Sequence, residues 1–144
     1  MIVVGVILAL SVVVVMIAPR VAARRVLGSR ERLADDKLVD LFSASVHLPS
    51  DTILMVLKSM GAGYGINYSE LRPSDDLVLQ LSKIDSWRFD AGLEKTQELF
   101  RERFGLSVPA DSKSLSILDL MKLIDPSETS QAAEIVPPPS KPTR

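Results

Sequence analysis

The chain has 144 residues, a net charge of −1, no cysteine and one histidine, which leaves room for one small domain with extensions. A disulfide framework, a thiol nucleophile and a multi-histidine metal site are excluded by the same counts. Hydrophobic residues make up 47% and aromatic ones only 5%, with much of the hydrophobicity gathered in the first eighteen residues, so composition bounds the architecture and names no reaction.

Residues 1–18 (MIVVGVILALSVVVVMIA) contain no charged side chain. At about 1.5 Å per residue, a helix of that length covers about 27 Å, close to the roughly 30 Å hydrocarbon core of a bilayer. A transmembrane helix is expected here. A secretory signal would carry its positive charge before the apolar run, whereas Arg20, Arg24 and Arg25 follow it, with Arg30 and Arg32 close behind and Glu31 alone against them. Basic flanks stay on the cytosolic side, so the expectation is a single-pass membrane protein whose C-terminal domain is cytosolic and whose first partner is the lipid bilayer. The membrane-flanking arginines are a topology signal first and contacts for anionic headgroups second.

Residues 19–48 are expected to be a basic juxtamembrane segment and linker helix, the latter striped by Leu38, Leu41 and Phe42. His47 follows it as a cap or surface residue. Between residues 30 and 125 there are 12 basic and 16 acidic residues, a net of −4, so nucleic acid is not an expected partner.

The helical domain is expected over 49–125. Pro49, Ser50 and Asp51 start a helix that puts Ile53, Val56, Leu57 and Met60 on one face, and Gly61 is expected to end it. The run from Gly61 to Gly65 lacks the Gly-Lys-Ser/Thr ending of a phosphate loop and reads as a flexible turn. Ser74, Asp75 and Asp76 then cap a short helical piece with Leu77, Val78, Leu81 and Ile84 inward. From Asp90 to Phe104 a longer helix is expected, with Leu93, Phe100 and Phe104 inward, Glu94, Lys95, Glu98, Arg101 and Arg103 outward, and Gly105 as its stop. Ser116 and Asp119 form a capping box for a last helix carrying Leu120, Met121, Leu123 and Ile124. Residues 126–144 turn to Ser, Pro, Thr and Gln and read as a disordered tail. Nothing alternates with a period of two. The fold class expected is all-α, an N-terminal transmembrane helix followed by a small helical bundle, and a fragment of about residues 48–126 is expected to fold alone.

Taken in order, Val56-Leu-Lys-Ser-Met60, Tyr64-Gly-Ile66 and Leu71-Arg-Pro-Ser-Asp-Asp-Leu77 resemble the first helix, the Gly-Ile/Val exit and the long loop of an acyl carrier protein. Glu98-Leu-Phe-Arg-Glu-Arg-Phe-Gly-Leu-Ser-Val-Pro109 resembles the end of that family's second helix and its Ile/Val-Pro turn, and Ser116-Ile-Leu-Asp-Leu-Met-Lys-Leu-Ile124 is similar to its last helix. The resemblance implies a small helical bundle whose second helix begins at a serine bearing a 4'-phosphopantetheine arm and is the face that partner enzymes read.

This chain departs from the family where that serine belongs. The nearest match to the family's Asp-Ser-Leu is Asp85-Ser86-Trp87, yet counting back from Phe104 by the family's helix length puts Asp90 at the attachment position. Two readings of Ser86 stand: the cofactor-binding serine of a true carrier that delivers acyl groups to a membrane lipid-modifying enzyme, or an unmodified helix cap in a degenerate member without cofactor. The second is preferred. Trp87, Arg88, Glu94, Lys95, Glu98 and Arg101 are the expected partner-binding residues, with Trp87 either an interface anchor or a ring that closes the bundle. The protein partner is expected to be an acyl-transfer or lipid-synthesis enzyme. No catalytic residue, metal ligand or enzymatic activity is expected, because no nucleophile, base and orienting acid can be placed together.

Overall fold

A computed structural model describes residues 2–85, 91–109 and 112–126, with backbone alone for 2–4, 8–10, 14–16, 18–20, 85 and 91. Within it the first helix, α1, runs Ile2–Leu27, past Pro19 and through the basic flank in one piece. Among the described residues no helix is long and apolar enough to cross a membrane. The transmembrane part of the expected fold therefore rests on the sequence of residues 1–18.

The last turns of α1 belong to the domain. Leu27 is buried, Ala23 and Val26 pack against the core, and Gly28 leaves the helix at φ 72°, a left-handed conformation that glycine adopts without a Cβ penalty. α2 (Asp35–Ser43) is likewise no linker: Leu38, Val39, Phe42 and, just after it, Val46 are buried in the same core. Leu41, expected on the inner stripe, is exposed because it lies off the line made by Leu38, Val39 and Phe42 at helical spacing.

α3 (Ser50–Tyr64) buries Ile53, Val56, Leu57 and Met60, as the spacing of these residues predicts. It does not stop at Gly61. The helix continues for another turn and ends at Gly65, whose φ of 68° makes it the left-handed cap. Gly61 is glycine for a packing reason, since a Cβ there would lie 3.0 Å from the Ile66 carbonyl oxygen and from the Tyr68 N and Cβ. The expected flexible turn is thus mostly helix, closed by the Ile66 N–H donating to the Gly61 carbonyl at 2.9 Å.

A short 3₁₀ turn at Tyr68–Glu70 follows, and then a wide turn at Leu77–Leu81, in which the Leu81 N–H reaches back to the Asp76 carbonyl at 2.8 Å. Asp76 caps that turn, its carboxylate accepting from the N–H groups of Val78 and Leu79 at 2.8 and 2.7 Å. α4 (Ser82–Asp85) continues it beside α1, and the Gln80 side chain donates to the Val26 carbonyl at 3.4 Å.

α5 (Ala91–Phe104) lies along α3 and buries Thr96 and Phe100, with Leu93 and Phe104 half-buried. α6 (Ile117–Lys122) opens on the expected capping box between Ser116 and Asp119 and buries Ile117, Leu120 and Met121, while Leu123 stays exposed. A single antiparallel bridge between Asp76 and Ser116 ties the start of the wide turn to the start of α6. No strand occurs among the described residues, and the fold is all-α around one core. The tail at 127–144 lies outside the described residues.

Candidate functional site

α5 offers the expected partner face. Its inward line runs through Gly92, Thr96 and Phe100, four residues apart and therefore one above another. Gly63 of α3 comes close enough to Gly92 that a Cβ on it would meet the Gly92 carbonyl at 3.4 Å. Thr96 satisfies its buried hydroxyl by donating to the Gly92 carbonyl at 2.8 Å, and the rings of Phe100 and Phe104 meet at 5.4 Å. With that side committed to α3, Glu94, Glu98 and Arg101 are exposed on the other side, while Lys95 is exposed at the edge of the seam, its Cβ 3.5 Å from where a Cβ on Gly63 would lie. Ser86, Trp87 and Arg88 lie outside the described residues, as does Asp90.

The arginines expected to flank a membrane span open a second region. Arg24 and Arg25 are exposed in the last turn of α1, where positive charge complements the negative end of the helix dipole, and Arg20 is described by its backbone alone. Beyond them, residues 28–34 are laced onto the loop from Asn67 to Asp76. Nη1 of Arg30 donates to both carboxylate oxygens of Asp75 at 2.7 Å and to the Glu70 carbonyl at 3.3 Å. Nε of Arg32 donates to Oε1 of Glu70 at 3.0 Å. Arg72 returns the tie by donating to the carbonyls of Ser69, Leu71 and Glu31, and the Leu33 N–H donates to the Ser69 carbonyl at 3.2 Å.

This lacing reaches the base of the bundle. Asp75 also accepts the Arg72 N–H at 2.8 Å, and its own carbonyl accepts the Ile117 N–H of α6 at 2.9 Å. Asp76 beside it accepts from the Ser114 hydroxyl and from the Leu115 N–H at 3.0 Å. Partial burial pushes the Asp76 carboxyl up, but the hydrogen bonds from Ser114 and from the N–H groups of Leu79, Val78 and Leu115 outweigh it and hold the group below the usual carboxylate range. The expectation that Asp75 is a cap is corrected: it is a buried ion-pair partner, and the capping falls to Asp76.

Two smaller polar clusters brace the entry to α2 and α3. The Tyr68 hydroxyl donates to Oδ1 of Asp35 at 2.9 Å, while Nζ of Lys58 lies 3.5 Å from Oδ2 of Asp35 and 5.2 Å from the Tyr68 ring centroid. The hydrogen bond to Asp35 raises the Tyr68 pKa, with burial and the Asp35 charge adding to it and Lys58 opposing. The His47 N–H donates to the buried carboxylate of Asp125 at 2.6 Å while the imidazole is exposed, so the backbone of residue 47 carries the structural role.

None of the pairs at the α1 junction has a local signature in the sequence, since Arg30 and Asp75 are 45 positions apart. Among the described residues no group of three or more His, Cys, Asp or Glu side chains could hold a metal ion. Comparison with protein-family models, with curated proteins and with solved structures finds no match for the chain.

Proposed function

We propose that the chain is a membrane-anchored, acyl-carrier-like binding module at the cytosolic membrane face, acting by docking an acyl-transfer or lipid-synthesis enzyme and not by catalysis. One observation carries this reading. α3, α5 and α6, which bear the segments that resemble the carrier family, contribute to one core, while α5 turns Glu94, Lys95, Glu98 and Arg101 to solvent. An exposed face of mixed sign gives orientation and association rate through electrostatic complementarity more than bulk affinity, as suits a transient docking partner. The uncharged residues 1–18 supply the anchor and Arg20, Arg24 and Arg25 keep the domain cytosolic.

The module works without an arm in this reading, because counting back from Phe104 by the carrier family's helix length puts Asp90 at the attachment position, and Asp90 offers no hydroxyl for a phosphoester. Intact mass after co-expression with a phosphopantetheinyl transferase tests it. The mass is expected to stay that of the unmodified chain. A gain of one phosphopantetheine that disappears in Ser86→Ala would overturn the module and establish the true carrier, with Ser86 as its attachment site.

A further inference from the structure

Between the end of α1 and the loop from Gly65 to Glu70 lies a groove with two lobes. The first, about 440 Å³, is lined in part by Ile17, Val21, Arg24, Arg32 and Glu70, and the second, about 530 Å³, by Arg24, Arg30, Arg32 and Glu70. Both volumes fall in the roughly 300–1,000 Å³ range of small-ligand sites. The lobes share Arg24, Arg32 and Glu70, so three arginines and one acidic side chain line the two lobes together. Toward the apolar part of α1 the wall is Ile17 and Val21, both exposed.

These arginines are not equivalent. Arg30 is committed to Asp75, whose side chain is only 1% exposed, and it also fixes the Glu70 backbone. Arg32 is 69% exposed and, among the described residues, is held by the Glu70 carboxylate alone. An exposed pair of that kind is weak and is exchanged at little cost. Arg24 faces both lobes and no salt bridge engages it among the described residues. A phosphate diester entering the groove would take Arg24 and the guanidinium of Arg32 in place of Glu70, and the acyl chains of a phospholipid would run along Ile17 and Val21.

We infer that this groove binds the headgroup phosphate of an anionic phospholipid, with Arg24 and Arg32 as its ligands and the Glu70 carboxylate as the group displaced. The site lies where α1 leaves its apolar stretch, the depth at which lipid phosphates sit if that stretch spans the bilayer. Glu70 competes with the phosphate for Arg32, and the excess of positive charge that Arg24 leaves at the opening disfavours the ammonium of a zwitterionic headgroup.

The inference rests on the anchored reading of α1, and the two fail separately. Extraction of the chain from membranes by alkaline carbonate would sink the anchor, whereas the groove is tested in micelles. The full chain, ¹⁵N-labelled in neutral maltoside micelles, is titrated with dihexanoyl phosphatidylglycerol, dihexanoyl phosphatidylcholine and inorganic phosphate while the amides of Ile66–Glu70 are followed. Phosphatidylglycerol is expected to shift them saturably and phosphatidylcholine not to. Arg24→Gln and Arg32→Gln should each weaken the phosphatidylglycerol titration roughly fivefold. Glu70→Gln should tighten it, a direction that misfolding cannot mimic. Equal response to phosphatidylcholine, or no loss in either arginine variant, would overturn the site. Inorganic phosphate binding as tightly as phosphatidylglycerol would overturn the lipid assignment.

Discussion

Nη1 of Arg30 sits 2.7 Å from both carboxylate oxygens of Asp75, joining the segment just beyond α1 to the loop that holds the start of α6. The pair makes residues 28–34 part of the domain. If residues 1–18 span the bilayer as proposed, the span is coupled to the bundle through residues 28–34, and the fold then sets how the α5 face is oriented to the membrane.

Breaking this pair from the arginine side leaves a carboxylate stranded in the core. Removing one partner of a fully buried pair costs about 3–5 kcal/mol. Arg30 keeps 26% of its side chain exposed, so Arg30→Met is expected to fall just below that range, at about 2–3 kcal/mol in urea unfolding. Adding Asp75→Asn to Arg30→Met should recover part of that loss, because the stranded charge is gone.

Gly61 and Gly63 predict opposite responses to alanine. In a helix interior Ala gains about 1 kcal/mol over Gly. At Gly63 the new Cβ makes contacts of 3.4 and 3.5 Å, so Gly63→Ala should be neutral or slightly stabilising by thermal unfolding. At Gly61 it would press on backbone atoms at 3.0 Å, and Gly61→Ala should destabilise by about 1–2 kcal/mol after the helix gain is counted.

Asp76 gives the fold an acid-sensitive element. Its folded pKa lies below 3.8, so the stability it contributes is complete well above that value and drains away as the pH falls through the lower, folded value. Asp76→Ala should cost about 1 kcal/mol at pH 7, as loss of an N-cap side chain does. The gap between variant and unaltered chain should shrink in denaturant titrations taken to progressively lower pH below 3.8.

The fragment boundary is the plainest correction to the sequence reading. A fragment starting at residue 48 lacks Leu38, Phe42 and Val46, all essentially without solvent contact in the folded chain. Deletion of large core side chains costs about 2–5 kcal/mol each, against a total of about 5–15 kcal/mol for a small domain. Residues 48–126 should therefore show little cooperative unfolding by circular dichroism, whereas 27–126, which retains Leu27, should unfold in one transition.

What could be read in advance was local. The stripe at Ile53, Val56, Leu57 and Met60, the Ser116–Asp119 box and the Asp76 cap each depend on residues within a turn or two of one another, and each is found. Gly61 misled because its reason is tertiary, the close approach of Tyr68, while the true stop at Gly65 carries the positive φ. Arg30–Asp75 and Arg32–Glu70 bring together distant positions, and arginines after an apolar run already had a sufficient explanation as topology signals. α2 was legible as a helix, but a nine-residue stripe does not reveal whether it covers a core or spans a gap.

The absence of cysteine makes the central claim, an anchored module facing the cytosol, directly measurable. Lys113 is exposed near α6, so Lys113→Cys provides a unique thiol on the domain in the full chain. Spheroplasts expressing it are treated with a membrane-impermeant maleimide before and after permeabilisation, and the membrane fraction is assayed. The protein should be membrane-bound, unlabelled in intact spheroplasts and fully labelled once they are opened. Labelling in intact spheroplasts, or recovery of the protein in the soluble fraction, would contradict that claim.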